Sequence, residues 1–442
     1  MNPRIIQGAF IRESEILTDR QPHVLLVAAK WWSTSARMAM ALLRHGCRIG
    51  AVCPAGHPLR YLPGIDHVRR YRGIGSLSSL RRSIHEMRAD VIVPCDDGVV
   101  AQLHELSRRE PELRNLIERS IGSAQGHEII RSRFKFLKMA ESLGVPIPRT
   151  MQVSSEEDLV NWHRDGHSMS VLKVDGESGG NGVRISRSLA ESLSAWHELN
   201  ARPSGAQSWK RFVVDRDPLS LWTRSNPGER GMTIQQFVVG RPANSMMVSR
   251  DGAVLAQVSA LVIASDGPTG AATIIRRLSD KRMAQAGELV AAHLGLNGFS
   301  GLDFMIEADT GIPYLIELNP RCTQLGHLEF SNQASLAAAF SADLKGESLR
   351  HDVRPIRPAT IALFPQAFKA SSRSPHLDAS YHDIPWEEPS LVRELMLDPA
   401  PSRSWAARSY HFFKPVSKRL PVEYENPAAA AVVPPGINCA VS

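Results

Sequence analysis

No stretch of the 442 residues approaches the ~20 uninterrupted apolar positions that a membrane-crossing helix requires. The start of the chain carries Arg4, Arg12, Glu13, Glu15 and Asp19 among its apolar residues, so it holds no secretory apolar core. The five cysteines (Cys47, Cys53, Cys95, Cys322, Cys439) are scattered and never spaced C-x-x-C, which argues against a zinc knuckle or a disulfide framework. H-E-x-x-H is missing among the sixteen histidines, and so is the Walker pattern G-x-x-x-x-G-K-[ST]. No helix-turn-helix, zinc-finger or RNA-binding sheet signature occurs either. These absences lead to the expectation of a soluble cytoplasmic protein that engages neither a membrane nor nucleic acid.

What is present is an ordinary globular composition, 43% apolar and 22% charged, in a chain long enough for about two or three domains. A net charge of +7 calls for a polyanionic partner or none. Much of the excess lies in Arg69, Arg70, Arg72, Arg81, Arg82 and Arg88, then in Arg131, Arg133, Lys135 and Lys138. The second cluster alone would serve a nucleotide. The first reads as a solvated surface.

The segment from His23 to Pro54 alternates strand, helix, strand: HVLLVAA, then Ser33 to His45 closed by Gly46, then RIGAVC. ADVIVPCDD (Ala89 to Asp97) repeats the strand pattern, so a parallel sheet is predicted. Its first strand runs into AKWWSTSAR instead of G-x-G-x-x-G, so the layer is Rossmann-like without a dinucleotide turn. A helix capped at Ser132 and stopped by Gly144 and Pro146 follows, then β-rich segments and a helix from Lys281 to Leu294. Beyond Arg350 the chain turns proline-rich, keeping one strand candidate, TIALFP, before a low-complexity tail, NPAAAAVVPPG.

The chemistry concentrates in GLDFMIE-ADTG-IPYLIELNPR. A hairpin turning about Thr310 sets Asp303 opposite Glu317, two carboxylates ~5 Å apart that repel unless a cation lies between them. Alternation puts Asn319 on the face of Glu317, and two carboxylates with an amide oxygen suit Mg²⁺. The alternative is a solvated acidic pair on an edge hairpin, and a one-residue slip in the turn would change the pairing. In VLKVDGESGGNGVRI, Lys173 sits inside an apolar strand and requires an anion. The glycines after it form a loop able to fold over a triphosphate, or else a plain hairpin turn.

In this order, SRFKFLKMAESLGVPIP, VLKVDGESGGNG, TIQQFVVGRP, GLDFMIE and LIELNPR resemble the ATP-grasp superfamily over about residues 131–346. Within it the chain is most similar to the carbamoyl-phosphate-synthase-like carboxylate–amine ligases. The resemblance implies an α/β and α+β architecture, a Rossmann-like preceding domain (20–125) and a two-lobed ATP-grasp fold (126–346). The glycine-rich-loop lobe would span about 145–235 and the metal-binding lobe about 236–346, with a C-terminal extension and flexible tail over 347–442.

For the site it implies that Arg133 and Lys173 hold nucleotide phosphates, with Lys135 an alternative to Arg133. The loop Ser178, Gly179, Gly180, Asn181, Gly182 would close over them. Gln236, in a position usually occupied by Glu, would line adenine with Phe237 and Val238. Asp303, Glu317 and Asn319 match metal ligands, and Arg321 matches the basic residue beside the transferred phosphoryl group. Either Arg276 or Arg277 would face the intermediate. ATP and Mg²⁺ (Mn²⁺ an acceptable replacement) would be the cofactors, and a small-molecule carboxylate and an amine the substrates, joined through an acyl-phosphate. A homodimer is compatible with this reading. A phosphotransferase, a carboxylating enzyme and a non-catalytic nucleotide-binding module are the alternatives. His327 is assigned to packing or surface ahead of catalysis.

Overall fold

The computed structural model describes residues 21–166, 169–176, 182–201, 204–215, 217–225, 230–330, 335–349, 359–371, 374–413 and 421–424. Three sheets organise them. The first is parallel, with β1 (His23–Val27), β2 (Arg48–Cys53), β3 (Ile65–Arg70) and β4 (Val91–Pro94) in the spatial order β3-β2-β1-β4. All five residues of β1 are buried, as a continuous apolar run in a sheet covered on both faces should be. The helix Ser33–Arg44 ends where Gly46 adopts the left-handed conformation, φ 80°.

The second sheet is antiparallel and contains β5 (Thr150–Val153), β6 (Ser170–Val174), β7 (Val183–Ser186) and β8 (Met232–Gln236), ordered β5-β8-β6-β7. It is backed by Leu159, Trp162, Ala195 and Leu199 from two helices. Before it, the Ser132 hydroxyl accepts the Lys135 N–H at 3.4 Å and starts the helix Arg133–Ser142. That helix stops at Gly144, φ 80°.

The third and largest sheet comprises β9 (Gly240–Arg250), β10 (Ala253–Ser265), β11 (Ala272–Leu278), β12 (Gly298–Glu307), β13 (Pro313–Asn319), β14 (Thr360–Ala362), β15 (Tyr381–His382) and β16 (Val422–Glu423). Its order is β13-β12-β9-β10-β11-β14-β15, with β16 on β10. The last three strands lie beyond the predicted boundary at 347. The chain that the sequence reading sets apart as an extension therefore completes the same sheet, β14 on β11 and β16 on β10.

One face of this sheet packs on the helices Arg133–Ser142 and Lys281–Leu294 through Phe136, Met283, Val290, Leu302 and Phe304. The other face, with Met246, Val258, Val262, Ile275 and Phe299, shares one apolar core with Val24, Leu26, Met38 and Phe340. The first sheet thus abuts the face that carries Asp303. Among the described residues no helix is long and apolar enough to cross a membrane. Cys47, Cys53, Cys95 and Cys322 are buried and unpaired, and burial pushes each thiol up.

Candidate functional site

Asp303 on β12 lies opposite Glu317 on β13, the pairing that a turn about Thr310 predicts. Nearer the turn the register shifts: Phe304 faces Leu315, and Ile316 is left over as a bulge. Asp303 accepts hydrogen bonds from Asn244 Nδ2 (2.6 Å) and Asn319 Nδ2 (3.0 Å). Burial, then the charge of Glu317, pushes its carboxyl above the ordinary carboxylate range, against the pull of both amides and Arg321. The amide oxygen of Asn319 accepts from Arg321 Nη2 at 3.1 Å, so it is engaged by that guanidinium instead of pointing at the carboxylates.

Two further cations stand near the acidic pair. Arg133, in the first turn of its helix, donates from Nη2 to Glu317 Oε1 at 2.9 Å and lies 3.7 Å from Asp175. Its backbone N–H also donates to Asp175 Oδ1 at 3.2 Å. Lys135, the alternative for this position, is exposed. Lys173 on β6 is buried, 6% exposed, with no carboxylate at ion-pair distance among the described residues. Burial, then the nearby Arg133 charge, pushes its ammonium down to about 8, while Glu317 and Asp303 act in the opposite direction. A desolvated ammonium held near two carboxylates, but not paired with either, remains able to bind an anion.

Arg321 donates from Nε to Asp97 Oδ1 at 2.9 Å. Burial acts against its charge, but Asp97, Asp96 and Glu317 outweigh it and hold the guanidinium firmly protonated. Asp97 opens the helix Asp97–Arg109, and Asp96 caps that helix through the Val99 N–H at 3.0 Å. Asp96 also accepts the Ala29 N–H at 2.6 Å, and the Cys322 N–H donates to the Pro94 carbonyl at 3.3 Å. The carboxyl ends of β1 and β4 are thereby tied to the end of the large sheet that carries the acidic pair.

Register distinguishes the two arginines of β11. Glu317, Asp303, Asn244, Ala260 and Arg277 are successive partners across β13, β12, β9, β10 and β11. Paired residues share a face, so Arg277 lies on the face of Asp303. Arg276 pairs with Leu261 on the helix-covered face, and its Nε lies 3.5 Å from the Thr360 hydroxyl.

Gln236 is exposed at the end of β8, its N–H bonded to the Arg149 carbonyl at 2.9 Å. The Phe237 N–H is bonded to Met169 O at 3.2 Å, so its backbone donor is committed within the protein; Val238 is half-buried in the same link between sheets. Gly182 accepts the Val174 N–H at 3.0 Å, while Ser178, Gly179, Gly180 and Asn181 lie outside the described residues. His327 is buried and bonded to Asp383 at 2.6 Å, and Asp383 holds Arg37 at 2.5 Å. It joins the helix Ser33–Arg44 to the C-terminal strands. Sequence reasoning missed Asp97, Asp175 and Asn244. Asp175 stood two positions after Lys173, Asp97 at a strand end, and Asn244 in the strand NSMMVS, but only strand pairing brings Asn244 to Asp303.

A family model described as ATP-grasp domain matches residues 203–324. No curated protein matches the chain in sequence. Among solved structures, the chain is similar to N5-carboxyaminoimidazole synthetase from Staphylococcus aureus complexed with ADP (TM-score 0.56, 12% identity, covering 79% of this chain and 84% of that one). It is also similar to an L-amino acid ligase from Bacillus licheniformis (TM-score 0.55, 18% identity, 78% and 80% covered). A biotin carboxylase from Campylobacter jejuni has TM-score 0.54, 14% identity, and 76% and 73% covered. At these identities the likeness is one of fold.

Proposed function

We propose that this ATP-grasp protein is an ATP- and Mg²⁺-dependent ligase that activates a carboxylate as its acyl-phosphate and joins it to an amine. The observation that carries the reading is the convergence of Asp303 and Glu317 with Arg133, Lys173 and Arg321 at the ends of three sheets. A site for covalent catalysis would need a reactive nucleophile. Here Cys95 and Cys322 are buried with raised thiol pKa values, while the charged groups suit phosphoryl transfer.

The residues fit a divalent cation. Asp303 is held above its ordinary range by burial and by Glu317, a repulsion that a cation between the carboxylates would relieve. Asp303, Glu317 and Asn319 would hold it, the amide of Asn319 first turning from Arg321. Bound there, Mg²⁺ would neutralise phosphate charge. Lys173 supplies a positive charge to the nucleotide phosphates below about pH 8. Arg321, anchored through Nε by Asp97, would present its guanidinium beside the transferred group once Asn319 has turned from it. Arg277, on the same face, would steady the acyl-phosphate until an amine displaces phosphate from the acyl carbon. The lobes about 145–235 and 236–346 supply Lys173 and the acidic pair, respectively.

A second reading takes bicarbonate as the carboxylate, because two of the similar structures are named as a carboxyaminoimidazole synthetase and a biotin carboxylase. ADP release from ATP and Mg²⁺ in the presence of mixed carboxylates, with and without mixed amino acids, tests the choice. Amine-dependent release supports the ligase. Release that follows bicarbonate and ignores other carboxylates overturns it in favour of carboxylation.

A further inference from the structure

Beyond the carboxyl ends of β1, β2 and β3 lies a cleft of about 670 Å³ to which none of the described nucleotide-site residues contributes. Its floor comes from the first sheet: Trp31 after β1, Pro54 and Ala55 after β2, and Arg70, Tyr71 and Arg72 at the end of β3. Its roof comes from elsewhere in the chain, from Phe212 and Val213 of the helix Gly205–Val213 and from Pro218. The carboxyl edge of an open parallel sheet is where α/β folds take their ligands. The volume falls within the ~300–1,000 Å³ usual for a small-molecule site.

The roof is closely seated. A Cβ on Gly73 would lie 2.6 Å from Phe212 Cε2 and 2.9 Å from Pro218 Cα, and Lys30 Nζ lies 3.8 Å from Asp217. The charge is one-sided. None of the described residues lining the cleft is acidic; Asp217, whose charge acts on Tyr71, is paired with Lys30, and Arg70 and Arg72, both exposed, have no carboxylate partner among the described residues. Their neighbours Arg69 and Arg81 are instead paired with Glu86 and Glu110. Of the basic cluster that reads as solvated surface in the sequence, two members are thus placed at a cavity. The walls are Trp31, Tyr71, Phe212 and prolines, which offer apolar and aromatic contact. A dinucleotide is disfavoured, since Trp31 stands where a glycine turn would have to admit a pyrophosphate.

We propose that this cleft binds a small carboxylate with an aromatic or apolar body, its anionic end on Arg70 and Arg72 and its body between Trp31, Tyr71 and Phe212. Planar guanidinium groups suit a carboxylate, and the proline and aromatic walls suit an aryl group. The inference stands apart from the ATP-site reading and would survive its failure.

Titration calorimetry of the full chain with phenylacetate and with 4-hydroxybenzoate tests it, with acetate and inorganic phosphate as comparators and Mg-ADP binding measured on the same samples. Saturable binding of an aryl carboxylate, at least ~10-fold tighter than acetate, is expected. Replacing both arginines (Arg70→Ala with Arg72→Ala) should weaken it at least ~10-fold and leave Mg-ADP binding as it was. If that variant also loses Mg-ADP binding, the Arg70→Gln, Arg72→Gln pair is read in its place. Gly73→Val, which displaces Phe212, should weaken the aryl carboxylate more than acetate. No binding of either aryl carboxylate, phosphate or acetate binding as tightly as they do, or undiminished binding after loss of both arginines would overturn the proposal.

Discussion

At the scale of single residues, Glu317 is held by Arg133 at 2.9 Å while facing Asp303 across the hairpin, so its charge is matched on one side and opposed on the other. Glu317→Gln keeps the size and removes the charge. ADP formation should fall by at least ~100-fold while the melting temperature is retained. Asp303→Asn should behave alike, and the two together should cost little more than either, because they act as one unit. Near-normal turnover of Glu317→Gln would contradict the metal assignment. Lys173 gives a different signature. Lys173→Ala should weaken ATP binding far more than adenosine binding, since the lost contact is to phosphate; equal losses would make the lysine structural. Its ammonium is depressed to about 8 in the free protein, so the Lys173-dependent part of ATP affinity should decline as pH rises above about 8. These residues were legible in the sequence because their oddity is local: a lysine inside an apolar strand, and single carboxylates flanked by Leu302 and Phe304 and by Ile316 and Leu318. Asp97 was not, because its ion pair with Arg321 joins residues 224 apart in the chain.

At the scale of elements, β12 and β13 show why a correct pairing can follow from an incomplete picture. The arithmetic about Thr310 assumes an unbroken ladder, whereas the strands near the turn are displaced by one residue and the bulge at Ile316 restores the pairing at Asp303. Arg276 and Arg277 illustrate the opposite case. Alternation says that they face opposite sides, but only the partner strands say which side holds Asp303, and those partners come from residues 240–265 and 298–319. The register now orders the two. Arg277→Ala should slow amide formation or uncouple it from ADP release by letting water take the intermediate, while Arg276→Ala should leave the product-to-ADP ratio unchanged. Assays of both products on both variants check this, and the reverse pattern would refute the face assignment. β14 lies within the strand candidate TIALFP, whereas β15 and β16 escaped sequence reading because each is two residues long, too short for alternation to register.

At the scale of the whole molecule, the first sheet, the large sheet and the C-terminal strands share one apolar core, and Arg37, Asp383 and His327 join them inside it. Alternating strand and helix predicted the parallel layer, which the structure contains as the order β3-β2-β1-β4. That the last segment closes the same core depends on long-range packing that leaves no periodic trace. Acid should expose the coupling. Burial lowers His57 to about 3 and His104, stacked on His127 at 3.8 Å, to about 4, and depresses His327 as well. His57 and His104 stay neutral when folded and take a proton when unfolded below about 6.5, so the unfolded chain binds more protons and stability falls as pH drops through that window toward about 4. Urea melts at about pH 7 and about pH 5 should show the loss, with a smaller loss for His104→Leu; an unchanged midpoint would contradict it. The central claim is that ATP is spent on forming an acyl-phosphate, and hydroxylamine trapping tests it most directly. Incubated with ATP, Mg²⁺, hydroxylamine and a mixture of amino acids and aryl carboxylates, the protein is predicted to yield a hydroxamate, seen by mass spectrometry, that disappears with Glu317→Gln. A stable phosphate ester formed with ADP, and no hydroxamate, would contradict the account.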